Sequence, residues 1–171
     1  MRSDYRVAHD DDLSGFDSAA FDLILSAFTF DNISGWDTKV RLFRDLARLL
    51  NGSGRIVSSV SSPEIYTHEW VSFSTANYAE NRHARTGDVV RIITTDFADR
   101  RPAEDILWTH ASYQKVYARA GVSAVARYAP LATGDEPYPW VNETHIAPWV
   151  IYVLGRIRRR ASHVGIVEIE S

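Results

Sequence analysis

Among the side chains of this sequence that could move a proton, His68, His110 and His145 are candidate bases, with Glu64, Glu69 and Glu143 as nearby carboxylates, and we single out His68, Glu143 and His145. Glu143 and His145 lie close together in a loop before an apolar segment near the C-terminus, whereas His68 lies in a stretch of polar and aromatic residues. Histidine titrates near neutral pH and a carboxylate accepts a proton, so these residues are candidate general bases. A lone histidine is more often a half-buried structural group, and that alternative stays open.

The sequence is also rich in flat side chains that could form the walls of a pocket. Aromatic residues make up 12% of the chain. Tyr and Trp combine an apolar ring with a polar atom, which suits half-wet sites. A flat or apolar small molecule would fit such walls, although core packing is an equal alternative for Trp70 and Trp108. The candidate substrate-binding residues are Tyr66, Trp70, Tyr78, Trp108, Tyr113 and Trp140.

Composition narrows the classes of function. A chain of 171 residues is long enough for one domain with one core. The net charge of -3 and the absence of an obviously basic face argue against nucleic-acid binding. The chain has no cysteine, which excludes a thiol nucleophile and a zinc thiolate site, and no cluster with metal-ligand spacing occurs. Its N-terminus is polar and no apolar run is long enough for a membrane span, so we expect a soluble cytoplasmic protein.

The segment Phe21–Ile33 is the one that must position a site. Its run Leu23-Ile24-Leu25 is too short for a helix and lacks polar alternation, which is typical of a strand buried on both faces. Ser26, Ala27 and Phe28 come next, and ligands of open α/β sheets bind at the carboxyl ends of strands. The sequence therefore predicts that these three residues border a ligand.

A helix and a second strand follow this segment. Apolar residues repeat at helical spacing over Trp36–Leu50, with Asp37 as the expected N-cap. The run Asn51–Gly54 is expected to end the helix with a residue of positive φ, before a strand at Arg55–Val60. Strand, helix and strand in this order predict a right-handed parallel crossover.

The rest of the chain predicts further elements of one α/β domain over residues 1–155. Residues 74–86 are expected to form a lid or connector, and residues 156–171 a basic tail that is either an edge strand or disordered. The expected elements are a short strand at 5–8, a helix over 63–73, strands at 88–95 and 106–108, a helix over 111–120 and strands at 122–128 and 147–154.

The order of these segments resembles a known family. Phe21–Phe28 resembles the fourth strand of class I S-adenosylmethionine-dependent methyltransferases, and Leu49–Val57 resembles their turn into the fifth strand. Tyr113–Gly121 resembles the helix before their sixth strand, and Ala147–Leu154 their antiparallel seventh strand. The resemblance implies an α/β fold with a partial Rossmann-like sheet, parallel strands plus an antiparallel last strand, and helices on both faces. It also implies S-adenosylmethionine as cofactor and a small, aromatic or apolar methyl acceptor.

The sequence departs from the family at the cofactor site. It contains no G-x-G-x-x-G turn, and its first glycine is Gly15. What is present resembles the C-terminal half of a methyltransferase. By analogy, the adenine end of the cofactor would lie near Asp11 and Asp12, and its methionine end near Ser26, Ala27 and Phe28. We therefore expect the isolated chain to bind S-adenosylmethionine weakly or not at all.

The resemblance leaves several functions and partners open. The chain could be part of a small-molecule methyltransferase, an enzyme with cofactor-independent chemistry, or a non-catalytic partner of an intact methyltransferase. Without the preceding strands, the edge of strand Phe21–Ser26 would be bare and apolar, and such edges pair with other strands. We expect a homodimer, or pairing with a separately encoded N-terminal half. Neither nucleic acid nor a membrane is an expected partner.

Overall fold

The computed structural model describes residues 12–157. Along this part of the chain, β1 (Phe21–Ala27), α1 (Trp36–Leu49) and β2 (Leu50–Ser61) come first. A small antiparallel sheet follows, made of β3 (Phe73–Ser74), β4 (Val89–Thr94) and β5 (Ala103–Ile106). The last elements are α2 (His110–Ala120), β6 (Val122–Tyr128) and β7 (Trp149–Arg156). Short 3-10 turns occupy Phe30–Asn32, Pro63–Tyr66 and Ala79–His83.

The main sheet has the strand order β1-β2-β7-β6. β1 and β2 are parallel, whereas β7 runs antiparallel to both β2 and β6. The predicted α/β fold, with its parallel crossover and antiparallel last strand, is confirmed. Within residues 12–157, α1 and α2 contact each other on one face of the sheet, although helices on both faces were expected. The connections from β1 to β2 and from β2 to β6 step in the same direction along the sheet, and right-handed crossovers of this kind place their helices on the same side.

The buried face of the sheet packs against these helices. Ile56, Ser58 and Val60 of β2 are buried beside their β7 partners Leu154, Tyr152 and Val150. From the helices, the ring of Phe43 stacks on Phe30 with centroids 4.1 Å apart and meets Tyr117 edge-on at 4.9 Å. On the opposite face, Leu23 and Leu25 of β1 are 60% and 70% exposed. Burial on both faces of β1 was expected, and only one face is covered by the described residues.

Three local predictions are wrong for identifiable reasons. Gly35, not Asp37, is the N-cap of α1, and Leu50 is already extended, so the run 51–54 belongs to β2 without a positive φ. A Cβ at Gly54 would lie 3.0 Å from the carbonyl oxygens of Phe21 and Asp22, so this glycine allows β1 and β2 to approach.

The predicted helix over 63–73 is a single 3-10 turn. The Thr67 hydroxyl donates to the Glu64 carbonyl at 3.2 Å, and Trp70 Nε1 donates to the Ile65 carbonyl at 2.9 Å. A continuing helix would need these two carbonyls for its own backbone, so local side-chain bonds end it. The predicted strand at 5–8, Asp11 and most of the C-terminal tail lie outside the described residues.

Candidate functional site

The carboxyl end of β1 has an unusual backbone. Phe28, the residue after β1, has φ of 56°, a left-handed backbone conformation that residues other than glycine rarely adopt. Its N–H donates to the Ser59 carbonyl at 2.9 Å, which extends the β1–β2 pairing to this residue. The bend turns the Phe28 ring, which is 41% exposed, to the surface. Strained residues of this kind are enriched at ligand sites.

A cleft of about 540 Å³ opens beside this bend and is called here the aromatic cleft. Trp149 joins it to the end of β1, because the Trp149 ring meets the Phe28 ring edge-on with centroids 5.7 Å apart. The volume lies in the range of small-molecule sites. The walls come from residues 70–73, from the loop between β6 and β7 and from the start of β7. Its aromatic members are Trp70, Phe73, Tyr138, Trp140 and Trp149.

Two carboxylates hold the loop between β6 and β7 in place. Glu143 is buried, and its carboxylate accepts the N–H groups of Val71 at 2.6 Å, Val141 at 2.8 Å and Asn142 at 3.0 Å. Burial raises the pKa of Glu143, but the backbone hydrogen bonds outweigh it and hold the pKa below its usual range. The predicted base Glu143 is thus ionised and already engaged with backbone donors at neutral pH.

Glu136 holds the outer part of the loop between β6 and β7 in place. Its carboxylate accepts the N–H groups of Thr133 at 3.1 Å and Gly134 at 3.0 Å, and Trp140 Nε1 at 3.0 Å. The backbone hydrogen bond from Thr133 is the main reason that the pKa of Glu136 falls to about 2. The bond to Trp140 also fixes the orientation of that indole in the cleft.

A second cleft, of about 710 Å³, lies on the other side of the segment that enters β7 and is called here the histidine cleft. His110 Nδ1 and the Tyr152 hydroxyl lie 2.8 Å apart, in rings that are nearly parallel. Burial lowers the pKa of His110, and the nearby Arg127 lowers it further. Three of the predicted residues, His145, Trp108 and Tyr113, line this cleft.

A third, smaller cleft of about 380 Å³ contains three other predicted residues, Tyr66, His68 and Tyr78. His68 Nδ1 lies 3.1 Å from both the Thr67 hydroxyl and the Glu64 carbonyl, so this ring nitrogen is engaged locally. Tyr66 is buried and donates to Asp105 at 3.0 Å. This cleft is therefore separate from the one that adjoins β1.

The predicted site residues are distributed over these three clefts. Trp70, Trp140 and Glu143 line the aromatic cleft, which Trp149 connects to Phe28. Glu143 and His145 are close in sequence but line different clefts, because the turn at 142–146 directs them to opposite sides. Asp12 is exposed and accepts hydrogen bonds from the Ser14 N–H and hydroxyl, which lower its pKa. Ser26 Oγ is buried, with no hydrogen-bond partner among residues 12–157, and Ala27 is exposed at the end of β1.

Sequence reasoning missed a buried charged pair at the same end of the sheet. Asp31 accepts the Ser61 N–H at 3.0 Å and the Ser61 hydroxyl at 3.0 Å, and burial raises its pKa to about 6. The fully buried Lys39 donates to the Phe30 carbonyl and lies 4.7 Å from the centroid of the Trp108 ring. Burial lowers the pKa of Lys39 to about 8, although the negative charge of Asp31 acts to raise it.

A sequence signal for Lys39 existed, since it precedes Phe43 by four positions on the apolar stripe of α1. Within residues 12–157 no group of histidine and acidic side chains has a geometry suited to a metal ion. Neither described α-helix is long and apolar enough to cross a membrane.

Comparisons with known proteins identify the fold. No protein-family model matches the sequence, and a search of curated proteins finds no significant match. The structure is similar to an S-adenosylmethionine-dependent methyltransferase from Methanosarcina mazei, with a TM-score of 0.58 and 9% identity, over 92% of this chain and 69% of that one.

Two further solved structures are similar. The PH0226 protein from Pyrococcus horikoshii OT3 matches with a TM-score of 0.52 and 11% identity, over 88% of this chain and 58% of that chain. The CcbJ methyltransferase from Streptomyces caelestis matches with a TM-score of 0.51 and 13% identity, over 85% of this chain and 63% of that one. The chain thus spans less than two thirds of the length of either protein.

These similarities agree with the strand order and with the antiparallel β7 that the sequence predicts. Identities this low establish the architecture and not the reaction. The chain therefore has the fold of the class I S-adenosylmethionine-dependent methyltransferases.

Proposed function

We propose that this chain is the acceptor-side part of an S-adenosylmethionine-dependent methyltransferase that acts on a small aromatic or apolar molecule. The observation that carries the proposal is the contact between Phe28 and Trp149, with ring centroids 5.7 Å apart. It places the aromatic cleft directly beside the carboxyl end of β1, where α/β sheets bind ligands. Methyl transfer depends mainly on holding an acceptor in line with the donor, so a shaped cleft at this position suits it.

The described residues fit the methyl donor only in part. Ser26, Ala27 and Phe28 at the end of β1 would form one wall for it; Ala27 and Phe28 are exposed, whereas the Ser26 hydroxyl is buried. No glycine-rich turn between a strand and a helix occurs within residues 12–157, and the Asp12 carboxylate is bonded to Ser14. Backbone N–H groups that bind the carboxylate of the methyl donor must therefore come from outside residues 12–157.

His145, Glu143 and His68 remain our candidate bases for proton removal. Of these, Glu143 lines the aromatic cleft, His145 the histidine cleft and His68 the third cleft. Glu143 contributes by fixing the loop between β6 and β7, through its bonds to Val71, Val141 and Asn142.

We propose that a second copy of the chain pairs with the open edge of β1. Among residues 12–157 no strand pairs with the outer edge of β1, and Leu23 and Leu25 on the open face of this strand are largely exposed. Unpaired apolar edges favour strand addition. A separately encoded N-terminal half is the alternative occupant of this edge.

Calorimetry with S-adenosylmethionine tests the proposal. We expect the isolated chain to bind it with a dissociation constant of about 0.1 mM or weaker, because few described groups contact the donor. Binding in the low micromolar range by one copy would contradict the proposed division of the site. Titration of Phe28→Ala alongside the wild type shows whether any weak binding occurs at the end of β1.

A further inference from the structure

The charges that residues 12–157 contribute to the aromatic cleft are all of one sign. Among these residues the lining contains three carboxylates, Asp96, Glu136 and Glu143, and no lysine, arginine or histidine. The histidine cleft differs, since Glu64 and Arg127 offset each other there. A cavity with one sign of charge and low-dielectric walls concentrates ions of the opposite sign. The aromatic cleft therefore favours a positively charged ligand over a neutral or negative one.

The two loop carboxylates are ionised at neutral pH. Glu136 and Glu143 each accept three N–H groups, and these bonds hold the pKa of each group low. A carboxylate offers about four acceptor positions, so each retains capacity for one more donor. Asp96 is exposed at the rim, where no hydrogen bond to its side chain occurs within the described residues.

The aromatic walls complement a cation in a second, independent way. The rings of Tyr138 and Trp140 lie 5.0 Å apart at an angle of 44°, and Trp149 faces the cleft from the start of β7. The face of an indole attracts ammonium groups, most strongly where water is excluded. Trp140 is fixed by its bond to Glu136, so ring and carboxylate are presented together.

We propose that the aromatic cleft binds an organic ammonium ion, a small molecule with a flat or apolar body and a protonated amine. The amine would be held by Glu136 and the face of Trp140, and the body by Trp70, Trp149 and Leu131. The inference rests on the proposed function only for the statement that the ligand is the methyl acceptor. Binding itself requires no methyl donor.

Three probes of matched shape test the charge preference at pH 7. Phenethylamine, 2-phenylethanol and phenylacetate share a phenyl ring and differ in carrying a positive, no or a negative charge. Binding is followed by calorimetry and by tryptophan fluorescence, since Trp70, Trp140 and Trp149 line the cleft. We expect phenethylamine to bind about tenfold more tightly than 2-phenylethanol, as for one charge-assisted hydrogen bond, and phenylacetate to bind most weakly.

Variants locate the binding. Glu136→Gln should reduce the preference for the amine about tenfold, and the rim variant Asp96→Asn about threefold. Asp135→Asn is the matched control, because Asp135 neighbours Glu136 in sequence but does not line the cleft. Asp96→Asn removes no hydrogen bond of the fold among the described residues, so it remains informative if Glu136→Gln disturbs the loop.

Several outcomes would overturn the inference. These are equal affinities for the amine and the alcohol, no binding of the amine up to about 10 mM, or an unchanged preference in both cleft variants. If the amine binds but S-adenosylmethionine shows no binding even with a partner present, the proposed function fails and the ammonium site stands. If S-adenosylmethionine binds and the amine does not, the ammonium site fails and the proposed function stands.

Discussion

Phe28 and Trp149 meet edge to face, with ring centroids 5.7 Å apart and ring planes at 63°. Phe28 follows β1 in a left-handed conformation, and Trp149 is the first residue of β7. The contact thus links the end of the first strand to the loop that carries the aromatic cleft. A displacement of the end of β1 would therefore be transmitted to a ligand in that cleft through the Phe28–Trp149 pair.

The backbone at Phe28 can be tested with glycine. Phe28→Ala and Phe28→Gly both lose the contact with Trp149. Only the alanine variant retains a Cβ, and with it the backbone strain at φ of 56°. We expect the glycine variant to be more stable than the alanine variant by about 1 kcal/mol. Urea unfolding measures the difference. The control is Ala27→Gly in the extended strand β1, where glycine should instead destabilise by about 0.5–1 kcal/mol.

The raised pKa of Asp31 makes stability depend on pH. Burial raises this pKa from 3.8 to about 6, so the folded state holds a proton that the unfolded chain has released. Stability contributed at this site therefore falls as pH rises from about 4 to 6. An asparagine does not titrate, so Asp31→Asn does not lose this stability. Relative to the wild type, its free energy of unfolding should rise by roughly 2–3 kcal/mol between pH 4 and pH 7. A difference in the free energy of unfolding that stays constant with pH would contradict the assignment.

Lys39 acts on Asp31 through its charge. The Lys39 charge lowers the pKa of Asp31, so Lys39→Met should shift the titration of Asp31 to higher pH. Carboxyl NMR of labelled aspartate follows this titration directly. Lys115, the only other lysine of the chain, is exposed on α2, and Lys115→Met should leave the Asp31 titration in place. A downward shift in Lys39→Met would show that the two groups do not interact as described.

Glu143 is expected to matter for stability at neutral pH. Its folded pKa lies below 4.5, so its contribution is present above that pH and is lost as pH falls through the folded pKa. Glu143→Gln leaves backbone N–H groups without a full acceptor and should cost about 1–3 kcal/mol at pH 7. Urea unfolding at pH 7 and pH 4 should show this difference shrinking in acid. Glu104→Gln, which breaks an exposed pair with Arg91, should cost about 0–1 kcal/mol.

The free edge of β1 predicts the oligomeric state. We expect the wild type to elute as a dimer at micromolar concentration and Leu25→Lys as a monomer, because a lysine there opposes strand addition and burial. Light scattering after size exclusion measures the mass. The control is Ser123→Lys on β6, the strand at the opposite edge of the sheet, which should stay dimeric. A monomeric wild type would contradict the second-copy proposal.

Local pattern was sufficient for most of the fold. The apolar run at 23–25, the helical stripe of α1, the glycine after α2 and the alternation of β6 each report contacts between residues near in sequence. Their order also predicted the parallel crossover, whereas the antiparallel last strand was expected from the resemblance to the methyltransferase family. The small sheet β3-β4-β5 was not foreseen, because the two residues of β3 carry no pattern of their own.

The candidate site could be predicted only as a set of residue types. Trp70, Trp140 and Glu143 do line one cleft near Phe28, but His145 and Tyr113 line another, and Tyr66 a third. Which side of a loop a residue faces depends on hydrogen bonds such as Val71 N–H to Glu143, made across a long stretch of chain.

The sequence by itself determined the strands of the main sheet and its two helices, their order along the chain and the chemical types available at the strand ends. Only the tertiary structure decided that Asp31 and Lys39 are both buried and that the described lining of the aromatic cleft carries carboxylates without a cationic side chain. The physical reason is that periodicity records which face of an element is apolar, whereas charge, burial and pKa depend on the distant residues packed against that face.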